Sequence, residues 1–423
     1  MDQLYARFDA RVGVCSDSRS LASGQIFFAL RGANFNGNLF APKALELGAS
    51  AVVVDEWVDG LNPSDPRVVL VPDTLKALQE LAQTHRKAWG KTVVGLTGSN
   101  GKTTAKELFA HVLGQRFNVL ATYGNLNNHI GVPLTLLQLQ PEHEVAVIEM
   151  GANHQGEIAE LASIAEPNIG YVTNFGLAHL EGFGGPEGVV RGKSELYRHL
   201  TSSKGLSLVY CGDPRQLAES HEPRIVFGSE DVFHSDDHGR MAVTWRGITA
   251  QSHLIGDFQD RALSAAVALG SHFGLSDSEI ARGIEAYVPQ NNRGEWRNVG
   301  AYRVFMDAYN ANPSSMEASV RNAAPRLNPD RTLYVAGDLF ELGDYAAEAH
   351  QHMVDVMINL GIKHAILVGP LFAATQHAFV SLNSTQELCA LWASNPPLAD
   401  HIWVKGSRGM ALEKAVAVLD QSA

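Results

Sequence analysis

Thr92-Val93-Val94-Gly95-Leu96-Thr97-Gly98-Ser99-Asn100-Gly101-Lys102-Thr103-Thr104 is the stretch on which the rest of the chain is read. Its first six residues form the apolar, β-branched run of a buried strand, and the run stops at a glycine-rich turn. A helix is expected from Lys102 to about Leu113. Strand, glycine turn and helix N-terminus together make an anion cradle, because backbone N–H groups converge on phosphate oxygens and the helix dipole points the same way. In this reading Gly98, Ser99, Asn100, Gly101, Lys102, Thr103 and Thr104 hold a triphosphate, with Lys102 neutralising its outer phosphates and the Thr103 hydroxyl joining a Mg2+ shell. The match to GxxxxGK[ST] is imperfect. Leu96 stands where the first glycine is expected and Gly98 comes two positions later, which gives a compact TGxxGKTT form.

Working outward, short β-branched runs alternate with longer amphipathic ones, the pattern of an α/β protein with mostly parallel strands. Upstream, runs at 25–30 and 51–54 flank a polar glycine loop at 32–37 and a helix near 42–47, and a helix over 73–87 leads out of the unit. Downstream of the glycine turn, strands are read at 144–149, ending in the carboxylate of Glu149, and at 169–173. Helices are read over 188–200, 260–273 and 276–286, and residues 230–239 read as an exposed acidic excursion. Strands at 302–306, 333–336, 364–368 and 401–404, with helices near 314–324 and 346–360, give a third unit that looks like an open doubly wound sheet. Three domains are therefore expected: 1–87, a central P-loop ATPase domain over 88–290, and a C-terminal doubly wound, Rossmann-like domain over 291–423.

The composition limits the function. The 423 residues carry a net charge of −12, with 33 basic and 45 acidic side chains, which argues against nucleic acid as a partner. Three scattered cysteines offer no CxxC pair and fit a reducing compartment. Neither a signal peptide nor a membrane-spanning apolar run is read, so a soluble cytoplasmic protein is expected, and a monomer.

Several further segments carry a resemblance. They are Gly124-Asn125-Leu126-Asn127-Asn128-His129-Ile130-Gly131-Val132-Pro133, Glu149-Met150-Gly151-Ala152-Asn153-His154-Gln155-Gly156-Glu157-Ile158, Thr173-Asn174 with Ala178-His179-Leu180-Glu181-Gly182-Phe183-Gly184, Asp307-Ala308-Tyr309-Asn310-Ala311-Asn312-Pro313 and Lys405-Gly406-Ser407-Arg408-Gly409-Met410. Asp17-Ser18-Arg19 and Gly24-Gln25-Ile26-Phe27-Phe28-Ala29-Leu30-Arg31-Gly32 extend the likeness to the N-terminal unit. In this order they resemble the Mur ligases over nearly the whole chain, and within them the branch that joins D-Ala-D-Ala to a UDP-N-acetylmuramoyl-tripeptide. Another Mur-type ligase, a folylpolyglutamate-type ligase, or a nucleotide-binding protein without ligase activity are the alternatives.

The resemblance implies an N-terminal domain for the UDP end of the substrate, a central domain for ATP and a C-terminal domain for the incoming amine, with an acyl phosphate between two steps. It implies two Mg2+ ions held by Thr103, Glu149, His179 and Lys193, the lysine carrying a carbamate made from CO2. Lys102, Glu149, His179 and Lys193 are then the catalytic set. Arg293, Asp307 and Asn310, with Tyr309, are assigned to the nucleotide, and Asn125, Asn127 and Asn128 to substrate binding. Ser18 and Arg19, with residues 34–37, are candidates for its UDP end. Lys405, Ser407 and Arg408 read as a basic loop suited to an anion. One segment departs from the family. Where GxHNxxN is common, Phe258, Gln259 and Ala262 stand in the His and two Asn places, and Ala262 has no side-chain hydrogen bond to give.

Overall fold

A computed structural model describes residues 1–236, 239–289 and 292–420, and all of these side chains except that of Asp2. The expected junction at 290–291, and part of the expected excursion at 230–239, lie outside the described residues. The chain forms three α/β units. In the first, four parallel strands run in the order Val14–Cys15, Ile26–Phe28, Ala51–Val54, Val68–Leu70. The expected polar loop at 32–37 includes a small antiparallel pair, Arg31–Gly32 with Phe35–Asn36.

The central unit is a six-stranded parallel sheet: Arg224–Phe227, Leu206–Tyr210, Ile169–Val172, Thr92–Thr97, Val145–Glu149, Val119–Ala121. Val145–Glu149 is buried throughout and Thr92–Thr97 from its second residue, as strands covered on both faces must be. Helix Lys102–Leu113 leaves the glycine turn and packs on helices Asp260–His272 and Asp277–Ala286. Gly283 lets the last pair approach closely, since a Cβ there would lie 2.5 Å from the Val112 Cα. The expected helix over 188–200 is two helices, Pro186–Lys193 and Glu195–Ser203, meeting at the buried Ser194. The expected excursion at 230–239 contains strand Val232–Ser235, the edge of an antiparallel sheet with Arg240–Trp245 and Ile248–Ile255.

In the third unit, strand Glu295–Val299 lies antiparallel at the edge of five parallel strands, in the order Tyr302–Asp307, His401–Lys405, Thr332–Gly337, Ala365–Val368, Val380–Leu382.

The first and third units both dock on the central one. Helix Thr74–Trp89, capped by Asp73, inserts the buried Arg86. Its guanidinium donates to the carbonyls of Ala165 and Glu166 (both 2.9 Å) and to Asn168 Oδ1 (3.0 Å). From the other side Asn312 Nδ2 donates to Asn100 Oδ1 (2.6 Å) and the Leu177 N–H to Ser314 Oγ (2.9 Å). The second set places the third unit over the glycine turn.

Candidate active site

Parallel pairing aligns the C-terminal ends of the central strands, with Leu96 beside Glu149 and Thr97 beside Val172. Loops leaving those ends build a crevice, the usual ligand site of open α/β sheets. The turn bends where Gly98 sits at φ +138° and Gly101 at φ +77°. A Cβ on Gly98 would lie 1.9 Å from Thr173 Oγ1, so no other residue fits there. The turn is fixed from the neighbouring strand's exit. Ser99 N–H donates to the Asn174 carbonyl (3.1 Å), Asn100 N–H to Asn174 Oδ1 (3.1 Å), and Thr173 Oγ1 to the Asn100 carbonyl (2.6 Å).

Lys102 opens the helix and folds back, its Nζ donating to the carbonyl of Gly98 at 2.7 Å. Burial lowers its pKa below that of an ordinary lysine and Arg293 adds repulsion, against the opposing pull of Glu149. Glu149 is itself 2% exposed. One carboxylate oxygen accepts from the Thr103 hydroxyl (3.0 Å), the other from Asn127 Nδ2 (2.8 Å). The predicted Thr103–Glu149 pair and Asn127 are thus in contact.

Lys193 lies deeper, 1% exposed, outside the lining of the crevice. Its Nζ donates to the Ala152 carbonyl (3.0 Å) and sits 4.7 Å from the centre of the Phe183 ring. The nearby carboxylates are committed elsewhere. Glu195 accepts from the N–H groups of Gly156 (2.6 Å) and Ala159 (2.8 Å), capping helix Glu157–Ala165, and Glu157 accepts from the Asn153 N–H (2.7 Å). Burial, with repulsion from Lys102, drives the Lys193 pKa well below the lysine range. His179, in the left-handed region at φ +53°, is bonded through Nδ1 to Glu341 of the third unit. Burial lowers its pKa, and Glu341 opposes the shift. Among the described residues no three His, Cys, Asp or Glu side chains cluster as a ready-made metal cage.

The crevice has a volume of about 1000 Å³, at the upper end for small-molecule sites. Its lining includes Asn125, Asn127, Asn128, Arg293, Asp307 and Asn310. Arg293 lies over the Tyr309 ring, 3.6 Å from its centre. Lys405 ends its strand and pairs with Asp307 (2.5 Å), so it belongs to the crevice wall rather than to a free basic loop. Ser407 is buried, bonded to the Phe340 N–H (2.9 Å), and holds two loops of the third unit together. Arg408 is outside the crevice and pairs with Glu413 (3.0 Å). Ser18 and Arg19 lie on the first unit away from the crevice, Arg19 exposed and forked onto Asp17. Of the neighbouring 34–37 segment, Asn36 donates to Glu56 Oε1 (2.5 Å).

Sequence reasoning passed over Glu341 and Phe183 as partners of His179 and Lys193, since both contacts are made only in the fold. It also passed over Asp213, Tyr210 and Asp260. Arg261 pairs with Asp213 (3.1 Å) and stacks on Tyr210, whose hydroxyl donates to Asp260 (3.4 Å). Burial raises the Asp260 pKa. Phe258, in the departing segment, stands 41% exposed in the same wall.

Family models match in sequence order: "Mur ligase family, catalytic domain" over residues 12–86, "Mur ligase middle domain" over 96–270, and "Mur ligase, glutamate ligase domain" over 292–422. A UDP-N-acetylmuramoyl-tripeptide--D-alanyl-D-alanine ligase of Bacillus subtilis is 33% identical, covering 97% of this chain and 93% of that protein. The chain belongs to the Mur ligase family. The ligase of the same name from Synechocystis is 37% identical over 85% of this chain and 80% of its own length. Among solved structures, MurF from Acinetobacter baumannii superposes with a TM-score of 0.85 at 29% identity, covering 96% of this Mur ligase and 93% of that chain. The three-domain α/β architecture expected from the sequence is that of the family. Among the described residues no helix is long and apolar enough to cross a membrane.

Proposed function

We propose that this Mur ligase joins D-Ala-D-Ala to UDP-N-acetylmuramoyl-tripeptide at the expense of ATP. Residues 1–87 take the UDP end, 88–290 the ATP and 291–423 the dipeptide. Its near full-length relatives of that name support the substrates. The contact between Thr103 and Glu149 beside Lys102 carries the chemistry. A γ-phosphoryl group passes from ATP to the terminal carboxylate oxygen of the tripeptide, leaving ADP and an acyl phosphate. The dipeptide's amine nitrogen then attacks that carbonyl carbon, loses a proton, and inorganic phosphate departs.

Two anions must meet in the first step, so charge neutralisation is the main task of the site. Lys102, its charge weakened by burial, regains it against a polyphosphate held by the turn. Arg293 is placed for the outer phosphate, and Asp307, Tyr309 and Asn310 for the nucleoside. Asn125, Asn127 and Asn128 face the muramoyl substrate. Glu149 and Thr103 fit a magnesium ion. Both offer hard oxygen, and their Oγ1 and Oε2 atoms lie 3.0 Å apart, so the pair would hold one ion together. When bound, Mg2+ supplies Lewis-acid neutralisation of the phosphates.

Lys193 fits a carbamate better than an ammonium. It has no carboxylate partner among the described residues, and burial favours the neutral amine that attacks CO2, forming an N–C bond and releasing one proton. The resulting anion, with His179 freed from Glu341, would serve a second ion. Ser18 and Arg19 remain our candidates for the diphosphate end, and Ser407 and Arg408, with Lys405, for an anionic group of the substrate.

The test is phosphate release by the full chain with UDP-muramoyl tripeptide and ATP, with and without D-Ala-D-Ala. Release that requires the dipeptide and yields the pentapeptide is expected. Dipeptide-independent release, or none, would reject the proposal.

A further inference from the structure

A second cavity lies on the face of the third unit's sheet that meets the central unit. Register determines its wall. Arg303 pairs with His401 and Trp296 with Phe305, which puts all four side chains on one face of adjacent strands. Helix Pro313–Ala323 and the turn after it bring Asn322, Arg326 and Leu327 over that face, and Ile255 from the end of a central-unit strand completes the enclosure. The volume is about 260 Å³.

The charge of this wall is unusual for a chain of net charge −12. Among the described residues its lining holds two arginines and a histidine but no aspartate or glutamate. Arg326 is already engaged, donating to Asn322 Oδ1 (2.5 Å) and, across the seam, to Ser235 Oγ (3.1 Å) and Asp257 Oδ1 (3.0 Å). Arg303 is not. Its guanidinium lies 4.8 Å from the centre of the Trp296 ring and takes no carboxylate among the described residues. The nearest acid in sequence to His401, Asp400, is bound to Arg331. Within the wall, Trp296 Nε1 and His401 Nδ1 are buried and lack hydrogen-bond partners among the described residues. A stacked guanidinium keeps a planar edge of N–H donors free, a match for a carboxylate. Beside it, Ile255, Phe305 and Leu327 offer apolar surface that hydrated inorganic ions do not use.

We infer that this cavity binds a small organic carboxylate with an apolar body, seated between the central and third units. Arg303 takes the carboxylate, and the apolar wall takes the body. Since both units supply walls, an occupant favours the arrangement in which they are docked. The site is separate from the phosphate crevice and does not depend on the reaction proposed above.

Benzoate is the probe, titrated into the full chain saturated with ADP and Mg2+ so that the main crevice is filled. Calorimetry and saturation-transfer NMR read the binding. Benzoate is expected to bind at millimolar concentration, benzamide and inorganic phosphate at least about tenfold more weakly. Arg303→Gln, which removes the charge, and Leu327→Phe, which fills the cavity, should each weaken benzoate by about tenfold or more. Neither should change the affinity for ADP. If Arg303→Gln fails to fold, Leu327→Phe decides the matter alone. No binding of benzoate, equal binding of benzamide or phosphate, or benzoate binding retained in a folded variant would overturn the inference.

Discussion

Replacing Glu149 with glutamine separates what this side chain does for the fold from what it does for catalysis. The carboxylate accepts one hydrogen bond from Asn127 and one from Thr103. A glutamine can keep both, because its oxygen accepts from Asn127 and its NH2 can donate to the Thr103 hydroxyl, which serves as donor or acceptor. With no buried group left unpaired, the loss of stability should stay near 1 kcal/mol, a shift in melting temperature of about 2–4 °C for a domain of this size. Chemistry should suffer far more. The negative charge that would draw a divalent ion to the turn is gone, and Lys102 loses the attraction that supports its charge. Loss of one preorganised charge at a reacting phosphate is expected to lower turnover about 10²–10³-fold, or about 3–4 kcal/mol, with a raised Mg2+ requirement. Dipeptide-dependent phosphate release measured over a Mg2+ series, beside thermal melts, is the assay. Turnover within about tenfold of the parent, with an unchanged Mg2+ dependence, would refute the assignment.

Other substitutions probe neighbouring links in the argument. Lys102→Ala should abolish turnover while leaving the melting temperature nearly unchanged; substantial residual turnover in a folded variant would contradict its role. Gly98→Ala places a Cβ 1.9 Å from Thr173 Oγ1 at φ +138°, so nucleotide affinity should collapse and the central domain should lose stability, as read by ADP titration and melting. Lys193→Ala should lose activity and regain part of it with added short carboxylic acids; a folded variant that acids never rescue counts against the carbamate. The pH dependence of Lys193→Met has a definite sign. The folded lysine has a pKa well below its unfolded value, so between the two the unfolded chain binds the extra proton and parental stability rises with pH. In CO2-free buffer the variant should therefore melt higher than the parent at neutral pH, and the gap should shrink as pH approaches the ordinary lysine pKa of about 10.4.

Much of the crevice was legible because its parts are local. The run ending at Thr97, the left-handed glycines and the helix behind Lys102 are contiguous, and Glu149 announces itself as a carboxylate closing an apolar strand. What stayed hidden depends on partners distant in sequence. Nothing near His179 indicates Glu341, 162 residues later. The break at Ser194 was invisible because the apolar rhythm continues across it. Strand Ile248–Ile255 was passed over because its Thr, Gln, Ser and His alternate with few strongly apolar residues, though it buries alternate positions. Edge strands such as Val119–Ala121 are short and only half-buried, so they leave no run to read.

The same contrast explains how an acidic protein can host polyanions. Long-range charge works against such ligands, but it is screened within about 8–10 Å at ordinary salt. Contacts inside the crevice are not. There the turn's N–H groups, Lys102 and Arg293 act at short range, while the carboxylates around them are occupied. Asp307 is bound to Lys405, Asp213 to Arg261, and Glu195 to the end of a helix. Glu149 is bonded to the amide of Asn127 and the hydroxyl of Thr103, the two groups that face the glycine turn with it. Its charge, set near Lys102 beside the glycine turn, is what a bound magnesium ion would answer, and the Glu149→Gln variant tests whether the reaction needs it.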